Sequence, residues 1–135
     1  MFCKVCLNIA ILFWITVSFI PQRELKRQDI VNTLCAAITE RKLVKFYYDD
    51  KYSEYSDWRV VEPHLIGDHK STGNKTLVGW FIPTQQQKTN GHTEKWGSYL
   101  VNRIQKLQIL DKTFQGVRSS YNPSDKRMKT IYCHL

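Results

Sequence analysis

The chain has 135 residues, enough for one domain and short of two. Its residues are 42% hydrophobic and 13% aromatic, which permits a core, while four cysteines are too few for a disulfide scaffold. A net charge of +8 raises the expectation of an anionic partner, and the composition excludes a multidomain enzyme, a collagen, a disulfide knot and a polytopic membrane protein.

Residues 5–20 are almost continuously apolar, interrupted by Asn8, Thr16 and Ser18 and ended by Pro21. A helix of that length reaches about 24 Å, less than the ~30 Å hydrocarbon core of a bilayer. Lys4 is a thin positive region, and no small-x-small cleavage site follows. Three readings stay open: a signal or short anchor, an upstream extension foreign to the working protein, or a buried helix. A membrane partner is expected only if this segment is retained; otherwise the expected location is cytoplasmic. Cys3 and Cys6 form a lone CxxC with no second pair, so neither a metal nor a cofactor is expected.

A helix is predicted over residues 23–42. Ile30, Leu34, Ala37 and Ile38 make one apolar stripe, and Arg41 and Lys42 suit the negative end of a helix dipole. Cys35 on this helix reads as a small core residue. Strand signals follow at 43–50, 58–66, 74–82, 95–101 and 107–110, with Pro63 implying an edge or bend and Asp49-Asp50 ending the first strand. The stretch 84–94 is polar and contains the turn pair Asn90-Gly91. One helix and five short strands fit a small barrel or sandwich. Phe46, Tyr48, Val60, Leu65, Leu77, Phe81, Tyr99, Val101, Ile104, Leu107 and Phe114 are the core candidates. Residues 118–135 read as a loop, in which Ile131 and Tyr132 could add a short strand. The expected divisions are therefore an apolar segment 1–21, a domain 22–115 and a basic tail 116–135.

The charge is uneven. Residues 21–45 carry six basic and three acidic side chains, residues 116–135 four and one, and the stretch between them is almost neutral. Such flanks are either solvated surface or an electrostatic footprint for phosphate or nucleic acid.

The run Ile38-Thr39-Glu40-Arg41-Lys42-Leu43-Val44-Lys45-Phe46-Tyr47-Tyr48 resembles the opening of a WYL domain, where a helix leads into a strand with an aromatic-x-Tyr pattern. Arg59-Val60-Val61-Glu62-Pro63 matches the family's Arg-x-x-Glu-Pro element. Tyr99-Leu100-Val101-Asn102-Arg103-Ile104, then Leu107 and Phe114, resembles its ending. Lys75-Thr76-Leu77 keeps only the leucine of the Trp-Tyr-Leu signature, Asn102 stands in place of an aspartate, and the insertion 84–95 is long. The resemblance implies a mainly β fold with one leading helix, a five-stranded SH3-like (Sm-like) barrel. It also implies a ligand-sensing regulatory module, in some relatives one that binds a nucleotide or single-stranded nucleic acid through a basic and aromatic channel. By motif match it points to Tyr48, Arg59 and Arg103.

Each candidate has two readings. Arg59 suits bidentate phosphate binding and base stacking, or an ion pair with Glu62 or Asp57. Arg103 suits phosphate binding, or a capping role after a strand. Trp58, Trp80 and Trp96 offer stacking surfaces or ordinary packing, and Trp80 stands out because Gly79 permits a close approach. His64, His69, His92 and His134 share no metal spacing and read as surface or hydrogen-bonded residues. No nucleophile elbow, phosphate loop, zinc-protease motif or dinucleotide fingerprint is present, so no enzyme is expected. The expected ligand-binding set is Arg59, Arg103, Tyr48 and Trp80. With no room for a helix-turn-helix before residue 23, a regulator of this kind would need a separate DNA-binding partner or self-association. The alternative is a protein–protein interaction module using an SH3-like surface.

Overall fold

The computed structural model describes residues 22–50 and 55–135, and the expectations for the apolar run 5–20 and for Cys3-x-x-Cys6 lie outside them. Helix α1 (Gln22–Glu40) opens the described chain. Val31, Leu34, Ala37 and Ile38 are buried along one stripe, as their spacing requires, and Ile30 packs beside them. The helix ends two residues earlier than its charges suggest. Arg41 adopts a left-handed φ of 54° and donates its N–H to the Ile38 carbonyl at 3.1 Å, so Lys42 already belongs to the first strand.

Six strands follow: β1 (Lys42–Tyr48), β2 (Asp57–His69), β3 (Lys75–Ile82), β4 (Lys95–Leu100), β5 (Ile104–Thr113) and β6 (Met128–His134). Between β3 and β4 lies a short helix α2 (Gln85–Thr89), and a 3-10 turn (Val101–Arg103) joins β4 to β5. Asp49 and Asp50 follow β1, as expected. The antiparallel order is β4-β3-β2-β1-β5, with β6 added on β2.

The ends of this order are joined by very little chain. In a flat sheet β4 and β5 would stand ~19 Å apart, at about 4.8 Å per strand. The three-residue 3-10 turn between them advances only about 6 Å. The sheet must therefore curl. Tyr99 of β4 accordingly meets Phe46 and Tyr48 of β1 edge-to-face, at 5.3 and 5.1 Å between ring centres. No ladder connects β4 to β5 among the described residues, so the sheet is curled and open, where the sequence reading expected a five-stranded SH3-like (Sm-like) barrel.

The α1 stripe fills the concave side, against Val44, Phe46, Val61, Ile66 and Leu77. Burying each large apolar side chain contributes about 1.5–3 kcal/mol. Of the expected core, Val60 and Leu107 are half-buried and the others buried. A second cluster, Leu65, Val78 and Met128 with Trp96, Tyr121 and Ile131, lies on the convex side under the C-terminal segment. Gly79 sits where β3 crosses the bulge in β2; a Cβ there would collide with Val61 Cγ1 and the Glu62 carbonyl oxygen.

Cys35 is not the free core residue its helix position suggested. It forms a disulfide with Cys133 of β6, with Cα atoms 5.7 Å apart and a sequence separation of 98. A crosslink closing so long a loop restricts the unfolded chain strongly. Reduction, or Cys133→Ser, is expected to lower stability by about 2–4 kcal/mol in denaturant melts. An unchanged midpoint would mean that β6 docks without the bridge. Gly79→Ala is expected to cost about 1–3 kcal/mol by overpacking, read from the same melts, because the Glu62 carbonyl cannot move without disturbing the ladder and the Val61 side chain is packed in the core.

Candidate functional site

Curling the sheet leaves a cavity of about 660 Å³ between the start of β2 and β4. Arg59 forms its inner wall and is only 5% exposed. Its Nη2 donates to the Tyr55 carbonyl at 2.8 Å and its Nη1 to the Trp58 carbonyl at 3.4 Å. The guanidinium lies 4.2 Å from the centre of the Tyr55 ring and 5.6 Å from that of Phe81. Neither carboxylate weighed as its partner is used that way. Glu62 pairs with Arg118, and Asp57 accepts from Gln87, Tyr55 and the Trp58 N–H. Among the described residues no carboxylate forms an ion pair with Arg59. A buried cation without a counter-charge is costly, by several kcal/mol in real proteins.

Tyr48 also lines the cavity. Burial raises its phenol pKa, while the hydrogen bond from the Leu100 N–H and the charges of Arg103 and Arg59 act the other way. Its hydroxyl accepts the Leu100 N–H at 3.0 Å, where β4 turns towards β5. Tyr99, buried beside it, has its phenol pKa raised by burial to about 12. Arg103 ends the 3-10 turn, and its carbonyl accepts the Asp49 N–H at 3.3 Å. Both arginines thus act on the Tyr48 phenol from different elements. Trp80 does not join them. Strand alternation turns Phe81 towards Arg59 and Trp80 to the opposite face, where it meets Trp96 and Arg118. The close approach at Gly79 is made by β2, through the Val61 side chain and the Glu62 carbonyl.

The insertion 84–95 contributes a further wall. Thr84 caps α2 in a capping box with Gln87. Gln87 is buried and its Nε2 donates to the Trp58 carbonyl at 2.8 Å and to Asp57 Oδ2 at 3.1 Å. His92 and Lys95 line the cavity, and the His92 ring stacks on Tyr55 at 4.0 Å and 16°. Thr84-x-x-Gln87 was a readable capping signal. His92 and Lys95 carried no signal of their own.

The WYL domain model matches residues 29–109, more than half of the chain. The chain belongs to the WYL domain family. Its fold is similar to that of proteasome accessory factor B/C (PafBC) of Arthrobacter aurescens, with a TM-score of 0.53 and 18% identity over 69% of this chain and 13% of that one. At that identity the likeness is one of fold, and this WYL domain spans only a small part of the PafBC chain. No curated protein matches it.

On the convex face of this WYL domain, Glu62 is buried and held by Arg118, with Nε–Oε1 2.8 Å and Nη2–Oε2 2.9 Å. The Arg118 guanidinium lies 5.2 Å from the Trp80 ring centre. Half of the basic side chains in 116–135 are therefore engaged within the fold: Arg118 with Glu62, and Arg127 with Asp125. No helix among the described residues is long and apolar enough to cross a membrane.

His64 is fully buried against Phe114, Trp96 and Tyr121. Its Nδ1 donates to the Glu62 carbonyl at 2.8 Å and its Nε2 accepts the Arg118 N–H at 3.3 Å, which fixes a neutral tautomer. Burial lowers its pKa below the ordinary 6.5. As pH falls below that value the unfolded chain takes up the proton first, so stability is full above it and declines below. The melting temperature is expected to drop between about pH 7 and pH 5, and His64→Gln should flatten that slope. An equal slope in the variant would assign the acid sensitivity elsewhere.

Proposed function

We propose that this domain is a non-enzymatic, ligand-sensing regulatory module that binds a nucleotide or single-stranded nucleic acid in the Arg59 cavity. The observation that carries this reading is Arg59 itself, a buried guanidinium without a carboxylate partner at the wall of a cavity of about 660 Å³. An oxyanion supplies the missing counter-charge, and guanidinium edges match it bidentately. The rings of Tyr48 and Tyr55 give such a ligand an aromatic wall. Arg103 is assigned a supporting electrostatic role beside Tyr48, and Trp80 a role in packing. A second cleft, of about 510 Å³ between α1 and the 3-10 turn, is lined by Lys26, Arg27 and Lys106, so part of the basic 21–45 flank faces open space. We read the curled sheet, with its 3-10 turn joining β4 to β5, as SH3-like. Regulation of transcription would run through a separate DNA-binding partner or through self-association.

The alternative, a protein-interaction module, draws on one observation. Among the described residues β5 pairs only with β1 and leaves a ten-residue edge largely exposed, which suits strand addition. Tryptophan fluorescence titration with mononucleotides and short single-stranded DNA and RNA, at two salt concentrations, separates the two. The first reading expects quenching that weakens steeply with salt. It also expects Arg59→Gln to reduce affinity at least about tenfold while stability holds or rises, because an uncompensated buried charge has been removed. Lost stability with unchanged affinity would make Arg59 a structural residue. The reading implies a cytoplasmic protein, where thiol pools keep most cysteines reduced. Rapid alkylation on lysis tests this against the Cys35–Cys133 bridge: a bridge in only part of the population fits a reducing compartment, and a bridge in every molecule speaks for export.

A further inference from the structure

We propose that the insertion 84–95 makes the Arg59 cavity selective for a terminal phosphate, a phosphomonoester, over the internal phosphodiesters of a nucleic-acid strand. This rests on the reading of that cavity as an anion site. Three observations point to it.

The insertion is built onto the same stretch of β2 that carries Arg59. Gln87 bonds Asp57 and the Trp58 carbonyl, the two residues immediately before Arg59, and the His92 N–H donates to the Gln87 carbonyl at 3.0 Å. Its placement is therefore set by the same backbone that sets the guanidinium.

Tyr55 is shared between the two. Arg59 lies 4.2 Å from the ring centre, and the His92 ring stacks on it at 4.0 Å. The stack holds the imidazole in one orientation at the cavity rim. Lys95, at the first position of β4, lines the same space. Arg59 of β2, His92 of the insertion loop and Lys95 of β4 thus bring nitrogen donors to one cavity, and together they outnumber the one carboxylate in its lining, Asp50.

The number of ligand oxygens then decides between anions. A phosphodiester has two non-bridging oxygens, which one guanidinium edge satisfies. A phosphomonoester has three, with up to two negative charges near neutral pH. The additional donors from the insertion match the additional oxygen and charge. Without the insertion, Arg59 alone would not distinguish a strand's interior from its end.

The test compares one short oligothymidylate carrying a 5′-phosphate, a 3′-phosphate or neither, bound to the full chain. Wild type is expected to favour one phosphorylated form over the unphosphorylated one by about tenfold. His92→Phe with Lys95→Met keeps a ring on Tyr55 but removes both donors, and should bring that ratio close to one. If the double variant fails to melt cooperatively, Lys95→Met alone, at an exposed position, should still reduce the ratio. A wild-type ratio near one, with binding retained, overturns this inference and leaves the Arg59 reading standing. A ratio that survives removal of the donors also overturns it. No binding of any oligonucleotide overturns both.

Discussion

Pro63 has no N–H to offer a neighbouring strand, and the architecture is arranged around that gap in β2. The β1 ladder stops at Val61 and the β6 ladder starts at Leu65, both on the edge away from β3. Pro63 and His64 lie in the interval, where the register against β3 also shifts. One thirteen-residue strand therefore serves two partners on one edge and bends between them. The Leu135 N–H completes the interval by donating to the His64 carbonyl at 2.9 Å.

The bend separates two chemistries on one strand. Before it, β2 follows the curl of the sheet and turns Arg59 towards Phe81, Tyr55 and the cavity. At it, Glu62 points to the convex face, where the C-terminal segment arrives with Arg118. The segment is not a free basic tail. It closes the second hydrophobic cluster and pairs with β2, and it is tied to α1 through Cys133. Gly79 of β3 lets the Val61 side chain and the Glu62 carbonyl pass closely at the bulge.

What the sequence disclosed was local. The α1 stripe follows from a period of 3.6, and four of the strands from aromatic and β-branched runs between turn signals. The fifth signal, at 107–110, marks only the middle of β5. What stayed hidden depends on distant pairs. Arg118 lies 56 residues from Glu62, and Cys133 lies 98 from Cys35, so no window along the chain contains either pair. The α2 turn was masked because its stretch is wholly polar, although Thr84 and Gln87 carried a capping signal. For the site, motif matching found Arg59 and Tyr48, both at the cavity. Trp80 was drawn in by its neighbour Gly79, but a strand's period of two sends it to the other side from Phe81.

The contrast between Arg59 and Glu62 is the strongest physical argument about purpose in this domain. Both are charged, both are buried, and they stand three residues apart on one strand. Glu62 receives a two-point ion pair from Arg118, so its burial is compensated from within the fold. Arg59 receives two carbonyls and aromatic faces, which accommodate a cation without neutralising it. If burial of charge served only to hold β2 in place, an apolar side chain of similar size would do so at lower cost. Asp57 is close enough for the Arg59 charge to act on it, yet its oxygens are turned to Gln87, Tyr55 and the Trp58 N–H, which hold its pKa below the usual range against the opposing effect of burial. Asp57, two residues before Arg59, is thus occupied by the insertion's own anchor, and Asp50 lines the same cavity without forming an ion pair to Arg59 among the described residues. The arrangement leaves the guanidinium's remaining charge directed at the cavity, where an anion from outside the chain can balance it.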